Sequence, residues 1–201
     1  MVLVNALVSA LPNLFLFAGL PFLLYYSYHK YRKKRGFAEI VQRAGLQLGE
    51  VRYIGYCLMF AVVVVTTLIL CPPSLESSIL ERSALRAFDG LGFGIPTVVM
   101  ALFYGVIETG FLEEFLFRGL ITGSLSRHLS IPWANVLQAF IFLTPHLFLL
   151  RIMPELLPFI FILSLFLGWV RIKSGSMMGP WLIHASINVT MGLSVAIRTA
   201  S

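Results

Sequence analysis

Residues 95–122 read IPTVVMALFYGVIETGFLEEFLFRGLIT, and where this stretch is housed decides the fold. As a helix it is long enough to cross a hydrocarbon layer of about 30 Å. Yet among its apolar residues stand Glu108, Glu113, Glu114 and Arg118. Glu114 and Arg118 are four apart and share a helix face, so the guanidinium can neutralise one carboxylate, as a lipid surround demands. Glu113 points about 100° away and has no partner in its own helix. An ionisable group in a membrane span costs several kcal/mol, which makes it a functional-site hypothesis by default. A carboxylate without a partner at that depth is suited to carry a proton. The competing reading is structural, with both glutamates satisfied by polar groups of neighbouring helices.

Five more apolar segments surround this one, at 3–28, 53–70, 132–150, 156–172 and 176–197. The 201 residues are 58% hydrophobic and only 12% charged, against about 25% charged in soluble domains. Strand-type alternation is absent. The expected fold is therefore all-α, a polytopic transmembrane bundle of about six spans. Residues 1–94 would supply two spans with a basic inner loop and an outer loop, and residues 95–201 a four-helix catalytic core. A short helix lying on the membrane surface is expected over Ala38 to Leu46. Cys71-Pro72-Pro73 opens a second polar connection, which Gly90, Gly92 and Gly94 close. The N-terminus lacks a positive leader region, and Ser9-Ala10-Leu11-Pro12 only faintly resembles a processing site. The first segment therefore reads as an uncleaved span.

The net charge of +6 is not spread as a nucleic-acid surface would be. Lys30, Arg32, Lys33, Lys34 and Arg35 follow directly on the first span, a juxtamembrane cluster that sets topology and meets anionic headgroups. With the N-terminus outside, these five and Arg43, Arg52, Arg127, Arg171 and Lys173 fall inside. Arg82, Arg86, Arg151 and Arg198 fall outside. Both termini are expected on the non-cytoplasmic face of a prokaryotic plasma membrane, with lipid as a partner and nucleic acid excluded. Cys57 and Cys71 offer neither metal-ligand spacing nor a plausible disulfide.

Three spans place their polar groups at similar depth. About 21 Å of helix separates Arg127 from Glu113, about 20 Å Trp133 from His146, and about 17 Å Lys173 from His184. Phe142 lies one turn before His146, and Pro145 frees the carbonyl of Ile141. His184 and Asn188 are four apart and project together, able to donate to a developing oxyanion or to clamp helices. A carboxylate, two imidazoles and an amide around one pocket admit two chemistries. A glutamate and a histidine can activate water. Alternatively, Glu113, His146 and His184 can hold a divalent metal such as zinc. No His-Glu-x-x-His or Gly-x-Ser-x-Gly is present.

Glu113-Glu114-x-x-x-Arg118, Phe142-x-x-x-His146 and His184-x-x-x-Asn188 together resemble the CPBP family of intramembrane proteases. This is the CAAX-protease and bacteriocin-processing group, also called Abi. The resemblance covers about residues 95–197, and Phe117-Arg118-Gly119 continues it. Pro145 and Glu108 depart from the family pattern. The resemblance implies an endopeptidase acting on a membrane-associated, in some members lipidated, protein or peptide. Glu113 and His146 would activate the water, His184 and Asn188 would stabilise the oxyanion, and Glu114, Arg118 and Phe142 would support the site. It implies catalysis either without a metal or with one. The competing functions are a non-catalytic protein of the same fold, serving bacteriocin immunity or as a scaffold, and a proton-coupled transporter. The transporter lacks the expected repeat symmetry.

Overall fold

The computed structural model describes residues 10–72, 80, 83–149 and 156–200. The first residues of the N-terminal segment, Ser9, Pro73, Arg82 and Arg151 lie outside them. Among the described residues seven helices are delimited: α1 Ala10–Arg32, α2 Phe37–Arg43, α3 Val51–Leu70, α4 Ile95–Leu125, α5 Ile131–Leu149, α6 Leu157–Ser174 and α7 Met178–Arg198. A short 3-10 turn, Ala84–Phe88, precedes α4. No strand occurs among the described residues.

Among the described residues five helices, α1, α3, α4, α6 and α7, are long and apolar enough to cross a membrane. The fourth expected span, α5, forms as a 19-residue helix but is not among them. The expected surface helix forms as α2, with Ile40 fully buried.

Lipid explains an otherwise inverted distribution. Leu24 on α1 and Val62 on α3 are 63% and 65% exposed, whereas Glu114 and Arg118 have no exposure at all. Apolar surface facing acyl chains costs nothing, while polar groups there must find partners inside the bundle. The core is correspondingly assembled between helices. Tyr53, Cys57 and Ala61 of α3 pack on Leu167 and Val170 of α6 and Ile183 of α7. On α1, Phe22 meets Phe115 of α4 edge-on. The first two spans thus lie directly against the four that follow.

Helix α4 is not a regular α-helix. Wide π turns run over Phe103–Phe111 and Phe115–Thr122. Thr109 and Thr122 donate their hydroxyls to the carbonyls of Tyr104 and Phe117, each five residues back. Side chains that bond into the backbone ladder favour such widening. Wider turns advance less per residue, so Glu113 lies nearer Arg127 than an α-helical count gives.

Glycine lets α4 and α7 touch. A Cβ on Gly105 would stand 2.6 Å from both the backbone nitrogen and a methyl of Val189. Only a residue without a side chain permits that approach.

Candidate active site

The close crossing of α4 and α7 brings Glu113, Glu114 and His184 together. Oε1 of Glu114 accepts from Arg118 Nη1 at 2.9 Å, the pair the four-residue spacing anticipates, and from His184 Nδ1 at 2.8 Å. A carboxylate oxygen accepts, so Nδ1 of His184 carries the hydrogen. The other ring nitrogen, Nε2, then faces Oε2 of Glu113 at 3.8 Å. That is too far for a hydrogen bond, yet one oxygen atom can reach both groups at about 2.8 Å. Oε2 of Glu113 is buried and has no hydrogen-bond partner among the described residues. Its carboxyl is therefore directed into the space it shares with His184.

His146 approaches from α5. Its Nδ1 donates to the carbonyl of Phe142 at 2.9 Å, leaving Nε2 as the basic nitrogen. The ring of Phe142 stands between the two histidines, with its centroid 4.6 Å from His146 and 6.3 Å from His184. The guanidinium of Arg118 lies 4.1 Å over the same ring, a cation–π contact in a desolvated setting. Asn188, one turn beyond His184, donates to Thr109 Oγ1 on α4 at 2.7 Å. Each expected site residue thus lies on α4, α5 or α7, with Glu113 paired most closely to His184.

The expected metal set fares differently. A catalytic zinc takes three protein ligands at about 2 Å. Among the described residues no three His, Cys, Asp or Glu side chains converge closely enough for one ion. Glu113 and His184 supply two facing donors, so the set as placed does not fit a metal centre.

Glu108 is removed from this group. Its carboxyl faces Asn13 of α1, beside an apolar recess walled by Leu14, Phe103 and Leu112. That geometry favours the structural role.

Behind the site stands a polar layer that motif reading passes over. Arg118 Nη2 donates to Ser164 Oγ of α6 at 2.9 Å. Gln138 Nε2 donates to the Ser164 carbonyl at 2.8 Å and to Asn135 Oδ1 at 3.1 Å. Asn135 in turn donates to the Leu165 carbonyl. Glu114, Arg118, Gln138 and Ser164 are all fully buried. Buried networks of this kind rigidify a core, and this one fixes the acceptor that orients His184, although Glu114 Oε2 and Arg118 Nε have no hydrogen-bond partner among the described residues. Its sequence signal is the Asn135/Gln138 pair, three apart in an apolar segment.

Arg171, counted among the inner cations, sits in the last turn of α6, only 5% exposed. Its Nε donates to the carbonyl of Arg118 at 2.9 Å, so it braces the turn that carries the buried ion pair.

Residues 95–190 match a family model described as type II CAAX prenyl endopeptidase Rce1-like. The matched segment contains all three motifs and agrees with the resemblance they carry. Neither a curated protein nor a solved structure matches the chain.

Proposed function

From the match of residues 95–190 to the Rce1-like model of type II CAAX prenyl endopeptidases, we propose an endopeptidase that hydrolyses a peptide bond of a membrane-associated protein or peptide. The observation that carries this reading is the unpartnered, buried Oε2 of Glu113, 3.8 Å from Nε2 of His184.

In the proposed reaction a water held at Glu113 attacks the scissile carbonyl carbon. Its proton passes to the Glu113 carboxylate, with the basic Nε2 of His146 assisting. The carbonyl oxygen becomes an oxyanion. His184, protonated at both nitrogens, donates to Glu114 through Nδ1 and to the oxyanion through Nε2. The Asn188 amide, which has two N–H groups and gives one to Thr109, donates the second. Glu113 then returns its proton to the departing amine nitrogen as the C–N bond breaks. Positioned base and oxyanion donors each contribute on the order of 10²–10⁴-fold. Glu114, held by Arg118, fixes the ring orientation of His184, the part a carboxylate plays behind any catalytic imidazole.

The test is Glu113→Gln, which keeps shape and removes the base. Membranes from cells expressing the variant should accumulate an uncut membrane-linked peptide that the native protein processes, with the rate down at least about 10²-fold. The helical circular dichroism and melting temperature should be unchanged. Retained cleavage by the variant would sink the assignment. Repeating the native assay with a chelator decides between the two water-activating chemistries: undiminished cleavage supports the metal-free route, and loss that zinc restores replaces it.

A further inference from the structure

At the end of the bundle that carries the basic cluster, α2, the end of α4, and the turn after α6 border an open recess of about 350 Å³. Arg43, Arg127 and Arg171 line it, and Glu39 is the carboxylate in its wall. Glu39 is already committed, bonded to Arg35 at 2.8 Å and to Arg43 at 2.9 Å.

The other two guanidinium groups converge. Arg171 Nη2 and Arg127 Nη1 both donate to one acceptor, the carbonyl of Arg43, at 2.9 and 3.4 Å. A Cβ on Gly123 would lie 2.7 Å from Arg171 Nη2 and 3.5 Å from Arg127 Nη1, so both groups close on the same point. Two like charges, Arg171 buried and Arg127 exposed, repel around one neutral oxygen. Burial lowers the proton affinity of Arg127; Tyr25 partly offsets this, and Arg43 and Arg35 add to it.

We infer that this recess is a binding site for a phosphate-bearing anion, with the two converging guanidinium groups of Arg127 and Arg171 as its floor. A phosphate oxygen supplies the counter-charge the protein omits, and the planar guanidinium fork matches its geometry. Basic recesses between spans take lipid headgroups in this way, and a free phosphate has the same chemistry. The inference is independent of the protease reading, since none of these residues touches the Glu113–His184 pair.

The experiment is a thermal-shift titration of the purified full chain in neutral detergent. Three probes are compared: short-chain phosphatidylglycerol, short-chain phosphatidylcholine and inorganic phosphate. Phosphatidylglycerol should raise the melting temperature saturably, and phosphatidylcholine should not. A shift by phosphate at similar concentration would assign the site to the free anion, and a shift by the lipid alone would assign it to a headgroup. Arg127→Gln should weaken the half-saturating concentration about tenfold, while Lys33→Gln/Lys34→Gln, in the exposed cluster, should leave it unchanged. No saturable shift with either phosphate probe, or equal weakening by both variants, overturns the inference.

Discussion

Arg118 shows how much one side chain is asked to do in a lipid-surrounded core. It neutralises Glu114, donates to Ser164 and covers Phe142, all with no exposure. Breaking a buried ion pair from one side leaves an uncompensated charge and costs about 3–5 kcal/mol, whereas replacing both members with apolar groups is often neutral. Arg118→Met should therefore lower thermal stability sharply, and Glu114→Leu/Arg118→Met should recover much of the loss while remaining inactive. Melting curves of the two proteins decide this; a double variant no more stable than the single one would count against it. At this scale the sequence was informative where partners are local. The Glu114–Arg118 pair follows from a four-residue spacing. The bond from His184 to Glu114 spans separate helices and could not be read from spacing. Ser164 was invisible because a lone serine in an apolar span carries no pattern.

Helices α4 and α7 owe their contact to what is missing at Gly105. An added methyl would meet Val189 at 2.6 Å and force the two helices apart. Overpacking of this kind costs about 1–3 kcal/mol, and a shift of about 1 Å in catalytic geometry can cost about 10²-fold in rate. Gly105→Ala should thus lose far more activity than stability. Gly55 of α3 has nothing within 4 Å of its added Cβ and serves as the control. Gly55→Ala should leave cleavage unchanged and raise stability by up to about 1 kcal/mol, because alanine is the better helix former. Parallel cleavage assays and melts measure both. The positions and lengths of the helices follow from runs of apolar residues. The π turns of α4 do not, because they depend on where Thr109 and Thr122 direct their hydroxyls.

The whole molecule carries its cationic residues mostly at one end, which the positive-inside rule turns into an orientation. Cys57 is buried and Cys71 exposed, so the native chain provides its own reporter. With the N-terminus outside, a membrane-impermeant maleimide should label Cys71 on intact cells, and Cys71→Ser should abolish the signal. Labelling that requires lysed cells would reverse the orientation. The asymmetry was legible because charge is counted along the chain. The convergence of Arg127 on Arg171 was not, since it required α6 to insert its last turn beneath residues 43–45.

That insertion also has a history in time. Arg171 reaches the carbonyl of Arg43, 128 positions earlier. The Gln47 carbonyl accepts from Ser176, and the Gly45 carbonyl from the backbone of Met177. Chains emerge from the ribosome N-terminus first, at about 5–20 residues per second. The loop after α2 therefore waits for its acceptors to be filled until residues 171–177 have been made. The earliest-made inner surface is the last to be sealed, and a nascent chain halted before residue 171 leaves that surface open.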